Sequence, residues 1–201
     1  DIFADAFEKY LTEDYTKNIK IFKNILGPEL ETTEGMFIHG WWLWPIGRYV
    51  ERNCLENYHT SINFIYELTK RFTGEFAIRP LLKNYPKKTM SVMLKWSRDK
   101  NVHVRRLASE GVRIKLPWAK KLTVALDEFE TYKKILSNLK NDKEKFVQKS
   151  IGNNLNDLMK EDPRLANEII NKWERDNPTK ETFWIIKHGR RSLNKKNNNN
   201  H

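Results

Sequence analysis

The chain has 201 residues with only 8 glycines and 7 prolines, a composition that favours one helical domain with a sizeable core. Its single cysteine, Cys54, excludes an internal disulfide framework, and no apolar run approaches the ~20 residues that a membrane span needs. The net charge of +11 is uneven, because residues 1–100 carry 15 Lys and Arg against 13 Asp and Glu, and residues 101–201 carry 22 against 13. This asymmetry predicts a polyanionic partner for the second half, unless the charge serves solubility alone.

Apolar residues recur at helical spacing along the chain, and the sequence shows no period-2 strand pattern. The first amphipathic pattern predicts one helix over 7–26, followed by a loop over 29–40. Pro45 suits the first turn of a short helix that ends near Asn53. A further helix is predicted over 58–72.

An internal repeat follows these elements. Pro86 precedes Trp96 by ten residues, Pro163 precedes Trp173 by ten, and an Arg-Asp dipeptide follows each tryptophan. The two pairs are offset by 77 residues, or two units of about 38, which is near the HEAT-repeat period. Each unit is then a helix pair whose apolar face closes by stacking on its neighbours. The predicted fold class is all-α, an α-solenoid of HEAT-like helix pairs.

The second helices of these pairs are predicted to line one concave surface. They correspond to residues 104–113, 146–159 and 183–193. Basic and amide side chains are frequent on them and suit a phosphate backbone. The predicted DNA-binding residues are Arg105, Arg106, Arg113, Lys149, Asn154, Lys187, His188, Arg190 and Arg191.

Two carboxylates lie among these basic residues. Glu110 follows Arg106 by four residues and Asp157 follows Asn153 by four, so each pair shares a helix face. The ordinary alternative is a surface ion pair worth under ~1 kcal/mol for Arg106 and Glu110, and a solvated carboxylate for Asp157. The segment from Asn153 to Asp157 argues for function, because Asn and Asp are poor helix-interior residues. Trp118, in a predicted connector, is either a core residue or part of a ligand surface.

Several segments occur in a characteristic order between Trp41 and Leu193. They are Trp44 to Gly47, Phe72 to Pro80, Val104 to Gly111, Leu116 to Trp118, Asn154 to Asp157, and Trp184 to Arg191. Together they resemble the AlkC family of DNA alkylation-repair glycosylases, which are AlkD-like HEAT-repeat enzymes. The resemblance implies that the acidic active-site residues are Glu75, Glu110 and Asp157, that Trp118 is the active-site tryptophan, and that Arg106 is the motif arginine. It also implies that some family sequence is missing before Asp1.

The resemblance implies a glycosylase that excises cationic N3-alkylated bases, 3-methyladenine and 3-methylcytosine, from duplex DNA in base excision repair without flipping the base. It implies no metal and no organic cofactor. We expect a monomer with one domain over 1–193 and a disordered, asparagine-rich tail over 194–201. Its location would be the bacterial cytoplasm or, in a eukaryote, the nucleus. The alternatives are an inactive HEAT-repeat protein that binds DNA, or one that binds an acidic protein.

Overall fold

The computed structural model describes residues 1–11, 14–34 and 36–192, without the side chains of Met36 and Phe37. Within these ranges all regular secondary structure is helical, and no helix has the length and apolarity needed to cross a membrane. The chain divides into two compact units, Asp1–Thr89 and Met90–His201, so the single domain over 1–193 stays a prediction. The tail over 194–201 lies outside the described residues.

The first unit begins with α1 and α2 and differs there from the sequence prediction. Its helices are α1 (Ile2–Tyr10), α2 (Tyr15–Asn24), α3 (Met36–His39), α4 (Trp44–Asn53), α5 (Tyr58–Thr69) and α6 (Arg79–Asn84), with a 3-10 turn (Trp41–Leu43) before α4. The single helix predicted over 7–26 is wrong, because the backbone leaves the helical region at Leu11. Asp14 then caps a new helix by accepting a hydrogen bond from the backbone N–H of Lys17 at 3.0 Å. The short helix after Pro45 is confirmed.

The second unit contains the repeated helix pairs. Its helices are α7 (Pro86–Trp96), which begins in the first unit, α8 (Val102–Glu110), α9 (Val124–Asp127), α10 (Phe129–Leu139), α11 (Lys145–Glu161), α12 (Pro163–Arg175) and α13 (Lys180–Gly189). The repeat is confirmed, since Pro86 and Pro163 each begin a helix and Trp96 and Trp173 are both buried. The second helix of the middle pair, α11, packs against both α8 and α13. The predicted all-α, HEAT-like fold class is therefore confirmed.

Two glycines allow α11 and α13 to approach closely. A Cβ atom on Gly152 of α11 would lie 2.6 Å from Cδ2 of His188, and one on Gly189 of α13 would lie 2.7 Å from Cβ of Leu155. Any larger residue at either position would push the two helices apart. The glycines therefore set the distance at which the polar side chains of α13 face those of α11.

We expect Gly152→Ala to lower the free energy of unfolding by about 1 kcal/mol or more. The added methyl group would collide with the Cβ of His188 as well as with its ring, and such overpacking costs about 1–3 kcal/mol, more than the gain in helix propensity. Gly47→Ala is the matched control, since its Cβ would meet Leu68 at an ordinary 3.6 Å and stability should rise by up to ~1 kcal/mol. Urea unfolding measures both, and changes of the same sign would contradict the packing argument.

Candidate active site

A buried ion-pair network joins α8 to α11. Arg113, in the turn after α8, donates from Nη1 to Oε1 of Glu110 at 2.7 Å and from Nε to Oδ2 of Asp157 at 3.0 Å. Its other amino group donates to the carbonyl oxygen of Lys115 at 3.2 Å. Nη2 of Arg106 lies 3.6 Å from Oε1 of Glu110. The Glu110, Arg113 and Asp157 side chains are only 6%, 8% and 7% exposed, so the solvent-exposed alternative for these carboxylates is wrong.

The charged groups of this network stabilise one another in their ionised forms. Burial alone would raise the pKa of Glu110, but the guanidinium groups of Arg106 and Arg113 and a hydrogen bond from Ser150 hold it below its ordinary value of 4.5. Burial likewise opposes the charge of Arg113, yet the two carboxylates raise its pKa above the ordinary range. Glu110 is therefore an ionised carboxylate at neutral pH, although it is shielded from water.

Asn154 supports the network from inside the protein. Its side-chain oxygen accepts a hydrogen bond from the Tyr132 hydroxyl at 3.1 Å, and its amide nitrogen donates to the carbonyl oxygens of Ser109 and Ser150, each at 2.9 Å. The residue is 0% exposed. This corrects the predicted DNA contact of Asn154, because its polar atoms are used to hold α11 against α8 and α10. The same correction applies to Arg113, which lies beyond the end of α8 and points inward.

The remaining predicted DNA-binding residues differ in whether a carboxylate of the protein pairs with them. Arg106 pairs with Glu110, as described above. Arg105 donates from Nε to Asp142 at 2.7 Å, and Arg190 donates from Nη1 to Glu174 at 2.7 Å. Their charges are already compensated by carboxylates on the protein. The other four, on α11, on α13 and just beyond the end of α13, have no carboxylate partner among the described residues: Lys149, Lys187, His188 and Arg191.

Three residues beside this group were not among the predicted site residues: Lys145, Asn153 and Trp184. Nζ of Lys145 lies 3.1 Å from the ring centroid of Trp184, and the Trp184 ring stacks on His188 with centroids 4.9 Å apart. Oδ1 of Asn153 accepts hydrogen bonds from Nε2 of His188 at 3.2 Å and from Nη2 of Arg191 at 2.9 Å. The signal was present, because Lys145 begins a row of polar residues that recurs every four positions along α11 and ends at Asp157.

Trp118 occupies a strained turn between α8 and α9. The turn is closed by a hydrogen bond from the backbone N–H of Ala119 to the carbonyl oxygen of Leu116 at 3.2 Å. The φ of +61° at Trp118, directly after Pro117, fits a type II turn, whose third position ordinarily holds glycine or asparagine. The side chain is 86% exposed, which excludes the core alternative. An exposed indole held in a left-handed conformation is typical of a functional position.

Glu75 lies in the first unit. Its Oε2 accepts a hydrogen bond from the Thr73 hydroxyl at 3.1 Å, and its backbone N–H donates to the same hydroxyl at 3.3 Å. The residue is 8% exposed. The resemblance alone assigns this carboxylate to the active site.

The fold and the site define a class of helical-repeat protein in which buried carboxylates adjoin a cationic helix face. Residues 73–193 match the model of the DNA alkylation repair enzyme family, and the chain belongs to this family. It is 41% identical over 148 residues to YhaZ, an uncharacterised protein of Bacillus subtilis, a match that covers 74% of this chain and 41% of YhaZ.

Two solved structures are similar to this chain. The Pseudomonas fluorescens alkylpurine DNA glycosylase AlkC, bound to DNA containing an abasic site analogue, has a TM-score of 0.80 at 32% identity and covers 94% of this chain. AlkD2 from Streptococcus mutans has a TM-score of 0.54 at 22% identity, with 94% of this chain and 86% of AlkD2 covered, and shows the same fold. The chain spans 50% of AlkC and 41% of YhaZ, so it matches half or less of their lengths.

We expect the stability of the protein to fall in acid, in part through Glu110. Because its folded-state pKa lies below the ordinary 4.5, its stabilising charge is fully present above about pH 5 and is lost as the pH falls through the folded-state value. Glu110→Gln should therefore show a smaller decrease in unfolding free energy between about pH 5 and about pH 3 than the wild type. Glu168→Gln, at a half-exposed carboxylate on α12, should keep the wild-type slope. Equal slopes for wild type and Glu110→Gln would contradict the assignment.

Proposed function

We propose that the chain is a DNA glycosylase that excises cationic N3-alkylated bases, such as 3-methyladenine and 3-methylcytosine, from duplex DNA. One observation carries the proposal: Asp157 is held by Arg113 at the end of the α11 row that also presents unpaired cations. Carboxylates suit a reaction that develops positive charge, and neighbouring cations suit a phosphate backbone. The family and the similarity to AlkC support the same chemistry.

The reaction does not require a general acid to protonate the leaving base. An N3-alkylated base is already cationic, so the electron pair of the breaking C1′–N bond neutralises the base as it departs. C1′ then acquires oxocarbenium character, which a nearby carboxylate stabilises electrostatically. Water forms the new bond to C1′, loses a proton and leaves an abasic site. We assign Asp157 to the stabilisation of C1′ and to the orientation of this water.

Asp157 suits this role better than Glu110. Arg113 donates its hydrogen bond to Oδ2 of Asp157, and Oδ1 is not part of that contact. Glu110 instead contacts both Arg106 and Arg113. We therefore assign Glu110 and Arg113 to positioning, with Arg113 fixing the Asp157 carboxylate while its Oδ1 faces the substrate.

Trp118 supports excision without base flipping. Its indole projects from an exposed turn rather than from the wall of a closed cavity, so it can contact a lesion at the surface of the duplex. The face of an aromatic ring attracts positive charge by about 0.5–2 kcal/mol. We assign it to contact with the cationic base or with the deoxyribose as charge develops on C1′.

The function is tested with duplex DNA containing 3-methylcytosine or freshly methylated adenine, followed by alkaline cleavage at abasic sites. The wild type should produce abasic sites, and Asp157→Asn should reduce the excision rate by about 100-fold or more because the carboxylate charge is lost. The amide oxygen of the variant can still accept the hydrogen bond from Arg113, so folding and binding to undamaged DNA should remain.

Asp176→Asn is the matched control, since this carboxylate is 48% exposed and pairs with Lys140 at the end of α12. Its excision rate should equal that of the wild type. Tight DNA binding by the wild type without excision would leave a DNA-binding repeat protein. Binding of neither damaged nor undamaged DNA would favour an acidic protein as the partner.

We expect Trp118→Asn to separate stability from activity. Asparagine tolerates a positive φ, so the free energy of unfolding should stay constant or rise by up to ~1 kcal/mol. The excision rate should fall by about tenfold, the equivalent of ~1.4 kcal/mol of lost contact with positive charge. Trp118→Phe keeps an aromatic face and should retain most of the activity. Full activity in Trp118→Asn would remove the indole from the mechanism.

A further inference from the structure

Four basic side chains on α11, on α13 and just beyond α13 form a cluster, here called the cationic cluster. Its members are Lys145, Lys149, His188 and Arg191. We propose that the cationic cluster binds a backbone phosphodiester of DNA and that His188 takes up a proton when the phosphodiester binds. The inference rests on the proposed DNA substrate and adds to it a coupling between DNA binding and pH.

The hydrogen bonds of the cluster define which nitrogen of His188 can take the proton. A guanidinium group only donates hydrogen bonds, so the Asn153 atom that Arg191 contacts at 2.9 Å is the amide oxygen. That oxygen also lies 3.2 Å from Nε2 of His188, which must therefore carry a hydrogen. The basic nitrogen of the neutral ring is then Nδ1. It lies on the edge of the ring opposite Cδ2, the atom that faces Gly152.

The cationic cluster lacks a negative partner. Among the described residues, none of its members forms an ion pair with a carboxylate. The carboxylates nearby are already occupied, since Glu174 of α12 pairs with Arg190, and Asp157 of α11 pairs with Arg113. Adjacent cations without a carboxylate partner favour the binding of an anion, to which they can donate charge-assisted hydrogen bonds.

The electrostatics of the cluster agree with its geometry. Burial lowers the pKa of His188 below its ordinary 6.5, and the charges of Arg191, Lys145 and Lys149 lower it further. Burial and Lys149 also lower the pKa of Lys145. Burial lowers the pKa of Arg191, an effect that the attraction of Asp157 partly offsets. Within the cluster, the charged form of each group is destabilised by the charges of the others. A bound anion would stabilise the charged forms and raise these pKa values.

The position of the cluster favours a phosphodiester over an acidic peptide. Asn153 precedes Asp157 by four residues and Lys145 precedes it by twelve, which correspond to about 6 and 18 Å along the helix. One DNA strand rises about 3.4 Å per nucleotide, so the cluster spans positions two to five nucleotides from a base held at Asp157. A row of cations beside the reacting nucleotide would hold the same strand.

The sign of the pH effect follows from these contacts. Near neutral pH the free protein holds His188 largely uncharged, because its pKa is lowered. A bound phosphodiester favours the charged ring and raises this pKa, so binding takes up a proton. The affinity for DNA should therefore increase as the pH falls. A rise of one unit in the His188 pKa corresponds to at most about tenfold in affinity, a limit reached only at a pH below both the free and the bound pKa.

The test measures the Kd for undamaged duplex DNA by fluorescence anisotropy at about pH 6 and about pH 8, at constant ionic strength. The wild type should bind about three- to fivefold more tightly at the lower pH. His188→Gln keeps a hydrogen-bond donor toward Asn153 but cannot gain charge, so most of the difference should disappear. His59→Gln is the matched control, at an exposed histidine of the first unit, and should keep the wild-type pH dependence.

A second measurement does not depend on the folding of the His188 variant. The pKa of His188 in the wild type, followed by NMR, should rise when the duplex is added. In Lys149→Met without DNA, the pKa of His188 should be higher than in the wild type without DNA.

A Kd with the same pH dependence in wild type and His188→Gln, or an unchanged His188 pKa on binding, would overturn the inference even if excision is observed. Conversely, pH-dependent binding through His188 without excision would support the inference and refute the glycosylase. An acidic peptide that shifts the His188 pKa while duplex DNA does not would refute the choice of phosphodiester.

Discussion

The candidate site in the second unit depends on the ion pairs that the Arg113 guanidinium forms with two carboxylates. It bridges Glu110 on α8 and Asp157 on α11, and all three side chains are shielded from water. Removing charges from water costs several kcal/mol per ion, and the cost is offset only where each charge has a well-placed partner. The bridge therefore fixes the register of α8 against α11, brings two carboxylates to one position in the protein and helps to keep Glu110 ionised.

Helix α11 supplies both the carboxylate for the proposed reaction and cations for the proposed DNA contact. One row of α11 presents Asp157 at one end and lysines at the other, while Asn154, one position from the row, is buried and bonded to Tyr132. Close approach of α13 at Gly152 places His188 beside that row. The carboxylate, the proposed phosphate contact and the helix packing are thus set by neighbouring residues of one element. A change in packing at Gly152 would alter the site without replacing any residue that we propose to contact DNA.

The proline–tryptophan repeat made much of the fold predictable from the sequence. Part of the site was not predictable, because the sequence does not show which polar side chains are buried. Pro86 and Pro163, each with its tryptophan, indicated helix pairs, and helical spacing brought Glu110 and Asp157 to notice. Sequence spacing does not show which face of a polar helix is covered when helices pack on both of its sides. Asn154 and Arg113 were therefore predicted to contact DNA, although their polar atoms are used internally. The single helix predicted over 7–26 failed for a local reason, because Asp14 can cap a new helix.

A site that holds both carboxylates and cations must prevent them from neutralising each other. Asp157 lies near enough to attract Arg191, and an ion pair between them would remove a carboxylate from C1′ and a cation from the phosphate backbone together. Two hydrogen bonds oppose that pairing: Arg113 binds Oδ2 of Asp157, and the oxygen of Asn153 holds the Arg191 guanidinium at 2.9 Å. The neutral amide of Asn153 can hold Arg191 without cancelling its charge, which an aspartate at that position would do. The polarity of Asn153, rather than a charge, thus keeps the catalytic and DNA-binding halves of the proposed site distinct.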